Sequence, residues 1–500
     1  MMQEQVTGRI QKPPHEAYVQ GVLLPQFQYE LENYVNHYLN IEKVLLKAYK
    51  KMNLLSETDA HRVWESIKKV NEDSILNISK YNMTDIALSI ERVIEQHLDE
   101  PVVNWHIDRS RNDFQACAQL MYTREKWIQL IEKVDAFAQL MLEKAKKHIY
   151  MIMPGYTHYQ SAQIISVGFY LTAVSRHVLD TMKKMIGVLE NMNNQCPLGS
   201  GAMSGQEYNW DCDQMANDLG FQSYVGHALS GVASRDWALE VAECLSFFAS
   251  NMSRFLTDFI QWGSSEYQFI DLPDELTGIS SSMPQKRNFP ILERLRGKTS
   301  HLISYHIDFL LGQRNTSYSN LVEVSKEAGR NLSTLFNEAE SLLDLLLLVF
   351  ENISFKEENM KQCCALEYYG GFTLANLLTQ KNNIPYRKAQ VVAGKFVTKS
   401  LENHIAPQYA SIELLDEVCL DNGCVNTVTQ KELENIFGVE RALEFKKTKG
   451  STNPEAVADI LIYQSEKEEF LRKKFNSITE SIRNKISVLE NGDSIYEENV

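Results

Sequence analysis

The residues best equipped for chemistry lie between Asp271 and Pro290, in the stretch DLPDELTGISSSMPQKRNFP. It has no helical or strand period and carries three prolines, a glycine, three consecutive serines and a Lys-Arg-Asn cluster. Long polar loops between regular helical segments are where function concentrates. The small hydroxyls from Ser280 to Ser282 can approach a substrate closely, Lys286 supplies a fixed cation, and Asn288 supplies an amide donor. Backbone N–H groups outside a helix can complete a cradle for a carboxylate or an oxyanion.

Three more polar clusters stand elsewhere in the chain. In HIDRSRNDFQ, His106 to Gln115, Arg109 and Arg111 flank Ser110, and Asn112-Asp113 suits a helix cap. Two arginines at a helix start are expected to hold carboxylates bidentately. MPGYTHYQSAQ, Met153 to Gln163, is expected as a turn feeding a helix, with Thr157 and His158 side by side and Gln160 and Gln163 close by. An imidazole in such a turn can give or take a proton near neutral pH. PLGSGAMSG, Pro197 to Gly205, is expected as a plain interhelical turn, because it contains no titratable side chain.

Long helices must position these clusters. Trp127, Ile131, Val134, Ala138, Met141 and Ala145 alternate spacings of four and three, as do Val241, Leu245, Phe248, Met252, Phe255, Phe259 and Trp262. Ala328, Leu332, Leu335, Ala339, Leu342, Leu346 and Val349 repeat the pattern. A 3.5-residue period keeps one seam on neighbouring helices and gives shallow left-handed packing. With further helices expected at about 161–192 and 291–313, the fold class is all-α, an elongated central five-helix bundle over 106–350. A smaller helical domain over 1–105, opening on an irregular Pro-containing arm, and another over 351–500 with a frayed tail are expected beside it. Leu343, Leu345, Leu347, Leu348 and Phe350 lie outside the last seam, so self-association through the bundle is expected.

Composition sets the outer limits. The 500 residues are 44% hydrophobic and 23% charged, ordinary for a globular protein, and only 12 prolines and 23 glycines punctuate them. A net charge of −15 argues against nonspecific nucleic-acid binding. The apolar run Leu342–Phe350 is too short to span a bilayer, and the N-terminal residues lack a secretory apolar core. The eight cysteines show neither a CxxC pair nor a zinc-like spacing, so free thiols and a cytoplasmic location are expected.

HxxRSRND, MPGYTHxQxAQ, PLGSGA, SSxMPQKxN and ERLRGK, in this order, resemble the signature segments of the argininosuccinate lyase family, within the fumarase and aspartase superfamily. The similarity runs from about Asp85 to Val457, and the first 80 residues match poorly. The resemblance implies a homotetramer whose active sites draw on loops of three subunits, and an elimination that releases fumarate from a small anionic N-succinyl substrate. It implies Ser280 as the base and His158 as the acid-side group. Lys286 and Asn288, with Thr157 and Asn112, would hold the succinyl carboxylates, with Gln160 near them. Arg111, Tyr318 and Lys326 match family positions near the substrate. No metal or organic cofactor, nucleic acid or membrane is implied.

The match is incomplete in particular places. Ile107-Asp108 replaces the family's Thr-Gly, Phe114 a glutamine, Ile279 a glycine, Ala87 a histidine and Glu323 a glutamine, and Phe289 intervenes between Asn288 and Pro290. The presumed fumarate-forming half is largely kept, while the surroundings of the amine half differ. Argininosuccinate is therefore the leading substrate, and a different amine–succinate adduct or a catalytically silent structural relative stays open.

Overall fold

The computed structural model describes residues 12–78 and 85–491. The first residues of the N-terminal arm and the end of the tail lie outside them. The three longest helices that lead in are α1 (Leu24–Lys51), α2 (Glu57–Ile67) and α3 (Ile86–Gln96). Five more make the central bundle: α4 (Arg111–Lys147), α5 (Val167–Asn193), α6 (Asp236–Trp262), α7 (Pro290–Gln313) and α8 (Leu332–Asn352). The 3.5-residue seams are the reason. Trp127, Ile131, Val134, Ala138 and Met141 of α4 are buried, as are Leu245, Phe248, Met252 and Phe259 of α6 and Leu335, Leu342, Leu346 and Val349 of α8.

Local chemistry sets the helix ends. Ser110 caps α4 by accepting the Asn112 N–H at 3.2 Å, and Lys144, Lys146 and Lys147 crowd the last turn, where the helix dipole favours cations. Ser166 caps α5 by accepting the Phe169 N–H at 3.0 Å. Gly168 is required just behind it, because a Cβ there would lie 2.6 Å from the Ala145 carbonyl oxygen.

The segment expected as a simple turn into a helix is instead a β-hairpin. Strand β1 (Ile152–Thr157) pairs antiparallel with β2 (Gln160–Ser166), and α5 begins only at Val167. Pro154 and Gly155 disfavour a helix, and His158 and Tyr159, at φ 55° and 60°, make the two-residue turn with positive φ at both positions that matches strand twist. The last seam also starts late, since Ala328 follows a π-helical turn at Glu323–Glu327 and α8 opens at Leu332.

Two large cores hold the described chain, with a small third cluster of Ile164, Cys364 and Leu443 beside them. The larger joins α1 to the bundle without a break, through contacts such as Tyr38 on Phe114, whose ring centroids are 4.8 Å apart. The smaller lies among α9 (Gly371–Asn382), α10 (Tyr386–Glu402), α11 (Ile412–Asp421) and α12 (Gln430–Phe437). The last helix, α13 (Pro454–Asn491), returns to the bundle, where Leu471, Phe475, Ile482 and Leu489 enter the larger core. The separate C-terminal core is thus narrower than the expected span of 351–500, because α13 carries its apolar stripe back to α4 and α5.

Burial also redistributes the apolar surface. Leu343 and Phe350 are covered within the single chain, while Leu348 stays exposed. Ile307, Leu310 and Leu311 of α7 and Phe247 of α6 are exposed as well, so the α6–α7 pair carries uncovered apolar side chains.

Candidate active site

At one end of the bundle, the start of α4 meets the loops after α5 and α7. Arg111, the first residue of α4, is half-exposed and lies 3.1 Å from the Asp85 carboxylate. Asn112 donates its side-chain amide to the Ala202 carbonyl oxygen at 2.9 Å. Tyr318 donates its hydroxyl to Ser230 at 3.2 Å. Lys326, on the π-helical turn, pairs with Glu30 of α1, which also accepts the Ile86 N–H at 3.0 Å. Burial pushes the Glu30 carboxyl up, against the pull of the Lys326 charge. A cavity of about 170 Å³ adjoins this pair, lined by Tyr29, Tyr34, Gln119 and Arg235 among others.

The two arginines of the first cluster part company here. Arg109 is 7% exposed and forms a two-pronged bridge to Glu42, itself 1% exposed, at 3.0 and 2.5 Å. It points into the core rather than toward a ligand, and only Arg111 faces outward. Residues two apart at a helix start point to different sides.

The second group stands at the opposite end. Thr157, His158 and Gln160 occupy the exposed tip of the β1–β2 hairpin. Tyr156 beneath them packs edge-on against Tyr267 at 5.6 Å, which brings the hairpin to the base of the Ser-rich loop. That loop is pinned at its neck, where Gly278 pairs with Asn288 and Ile279 with Arg287. Arg287 binds Asp271, the Leu272 carbonyl and Asp274, and lies over the Phe289 ring. Phe289 in turn rests on Gly263, where a Cβ would come within 2.8 Å of the ring. Between these anchors, the loop from Ser281 to Lys286 is exposed, and Ser280 Oγ accepts the Met283 N–H at 3.1 Å. Ile279 is 94% exposed, so its side chain is left uncovered by the rest of the chain.

The two groups do not meet within one chain. Helix α4 has 37 residues, about 55 Å at a rise of roughly 1.5 Å per residue, and Arg111 starts it while the hairpin follows its end. Ser280, Lys286 and Asn288 on the loop and Thr157, His158 and Gln160 on the hairpin therefore lie toward one end, and Arg111, Asn112, Tyr318 and Lys326 toward the other.

The roles of four carboxylates that organise the first end were missed by sequence reasoning: Glu30, Asp85, Asp108 and Asp113. Asp113 is 3% exposed and accepts the N–H groups of Gly199, Gly201 and Phe114 at 3.0, 2.9 and 2.9 Å. Burial pushes its carboxyl up to about 6, against those three donors. It is a bracket for the 197–205 loop rather than a cap. The only signal in the sequence was an acidic residue in the first turn of the helix. Glu30 lies in the part of the chain without motif similarity. Among the described residues, no group of three or more His, Cys, Asp or Glu side chains is arranged to hold a metal, and no helix is long and apolar enough to cross a membrane. All eight cysteines are free thiols.

Comparison with known proteins adds to this geometry. The chain matches a lyase family model over residues 20–303. It is 30% identical over 419 residues to the argininosuccinate lyase of Hydrogenobaculum sp., covering 82% of this chain and 87% of that one. It is 25% identical over 495 residues to argininosuccinate lyase 1 of Shouchella clausii, covering 98% of each. Among solved structures, a variant of EDDS lyase with bound fumarate superposes with a TM-score of 0.83 at 21% identity, covering 96% of this chain and 95% of that one. The class II fumarase of Schistosoma mansoni does so at 0.66 and 15%, covering 83% and 91%. These two likenesses show a shared fold.

Proposed function

The chain belongs to the argininosuccinate lyase family, carbon–nitrogen lyases that eliminate fumarate, and from that premise we propose that it cleaves argininosuccinate into arginine and fumarate. The observation that carries the chemistry is the loop from Gly278 to Asn288, clamped at its neck and exposed at its tip, with Ser280 and Lys286 together on it.

Ser280 is the base. A serine acts so only as an alkoxide, and the Met283 N–H at 3.1 Å, with the Lys286 cation on the same loop, favours that charge. The alkoxide takes a proton from the carbon beside one succinyl carboxylate, whose oxygens collect the electrons. The C–N bond on the neighbouring carbon then breaks, and the departing nitrogen receives a proton through His158. Asn112, Thr157, Lys286 and Asn288 cradle the two carboxylates, with Gln160 beside them. Arg111, Tyr318 and Lys326 line the side where the amine leaves.

These residues act together only if several copies assemble. Their separation along α4 and the uncovered apolar side chains of α6 and α7 support a homotetramer whose sites are shared between subunits. A second substrate, an N-succinyl adduct of another amine, is favoured by the engagement of Lys326 with buried Glu30, which changes the charge offered to the leaving group.

The test is fumarate release, read by ultraviolet absorbance. The parent is expected to turn over argininosuccinate, and Ser280→Ala to lower kcat by about 10²–10⁴-fold. No fumarate from the parent contradicts the substrate, and the reverse reaction with fumarate and a panel of amines then identifies another.

A further inference from the structure

The loop from Ser200 to Trp210 is tied down on both sides of Asn112. On one side, Asp113 accepts the Gly199 and Gly201 N–H groups at 3.0 and 2.9 Å. On the other, Asp108 accepts the Glu207 N–H at 2.9 Å, the Tyr208 N–H at 3.0 Å and the Trp210 indole N–H at 2.9 Å. The backbone oxygen of Asp108 also accepts the Gln206 amide at 2.7 Å. Asp108 sits at φ 58°, a left-handed conformation that aspartate tolerates better than most side chains. Its carboxylate faces donors alone.

Between the two anchors the loop is stiff. Gly201 and Gly205 form an isolated bridge, Gly205 N–H donates to the Ser200 oxygen at 2.9 Å, and a Cβ on Gly201 would lie 2.5 Å from the Gly205 oxygen. A shift at Glu207 is therefore carried to Ala202. The Ala202 oxygen is the acceptor for the Asn112 amide at 2.9 Å. A side-chain amide has two N–H donors. Donating one to a fixed carbonyl sets the plane of the group, and with it the direction of the other.

We propose that Asp108 is a positioning residue, acting through the 200–210 loop and Ala202 to aim the Asn112 amide at a substrate carboxylate. The inference rests on the carboxylate-binding role of Asn112 given above. It does not depend on the leaving amine, because fumarate is the product for any N-succinyl substrate.

The experiment is a double-mutant cycle on fumarate affinity, by calorimetry on the assembled protein. It compares the parent, Asp108→Gly, Asp108→Asn, Asn112→Ala and Asp108→Gly/Asn112→Ala. Glycine accepts the backbone angle and removes the anchor, and asparagine keeps the volume and substitutes for glycine if that variant does not fold. Either is expected to weaken fumarate about five- to tenfold. In the Asn112→Ala background, Asp108→Gly is expected to cause no further loss, which a general loosening of the fold does not reproduce. Parent-like affinity in the Asp108 variants, or losses that multiply, overturns the proposal. A parent that does not bind fumarate overturns it together with the role of Asn112. Fumarate binding without argininosuccinate turnover contradicts only the substrate.

Discussion

Arg109 and Arg111 stand two residues apart in one motif, yet the structure gives them opposite duties, and Arg109→Met separates them. Arg109 and Glu42 are both buried and joined by two hydrogen bonds, so removing the cation leaves a carboxylate in the core with no counter-charge. Breaking a buried pair in this way costs about 3–5 kcal/mol. With roughly 2.1 cal/mol/K of unfolding entropy per residue, the 500-residue chain unfolding as one unit would lose about 3–5 °C in Tm. A smaller cooperative unit would lose more. Replacing both partners, Arg109→Met with Glu42→Met, removes the orphaned charge and is expected to restore most of the loss. Scanning calorimetry gives the four midpoints. At a temperature where all variants are folded, the double variant is expected to keep kcat and KM for the parent's substrate, since Arg109 touches none. Additive losses in Tm would refute the buried-pair account. A double variant that is stable but inactive would refute the purely structural role of Arg109.

Two further outcomes follow from other parts of the fold. Asp135 of α4 and Glu468 of α13 face each other, bridged by Gln139 at 3.0 and 3.3 Å, with Arg472 2.9 Å from Glu468. Burial and the Glu468 carboxylate push Asp135 up to about 7. A carboxyl raised in the folded state contributes stability at low pH that is lost as pH climbs through the raised value. Tm is therefore expected to fall between about pH 4 and 7, and Asp135→Asn to flatten that slope, as thermal scans across pH would register. Arg287→Ala frees the neck of the Ser-rich loop from Asp271, Leu272 and Asp274, so activity is expected to drop about tenfold through misplacement of Ser280 and Lys286. The pair is half-exposed, so Tm is expected to change little. Steady-state kinetics with a parallel melt distinguishes this from unfolding.

The bundle was legible because a 3.5-residue period is a local pattern repeated many times, and α4, α6 and α8 each carry it. The β1–β2 hairpin was not, since Ile164-Ile165 fits a helix face as well as a strand and its turn uses His158 and Tyr159 where glycine or asparagine usually signals positive φ. Ser280, His158, Lys286 and Asn288 were legible as types suited to proton transfer and carboxylate binding. The separation of their set from that of Asn112 and Lys326 follows from the length of α4. The supporting carboxylates were hidden for a different reason. Glu30 meets Lys326, Glu42 meets Arg109 and Asp113 meets Gly199, and such partners become visible only once distant segments pack together.

Subunit complementation tests the shared site most directly. Ser280→Ala and Asn112→Ala are each expected to be nearly inactive, since each removes one of the two sets from every site. When the two are dissociated together and reassembled at equal amounts, a site is intact if its Ser280 comes from one variant and its Asn112 from the other. Random mixing in a closed oligomer then restores roughly a quarter of parental fumarate release. A mixture no more active than the separate variants, with mixed oligomers verified by mass, would contradict a site built from different protomers.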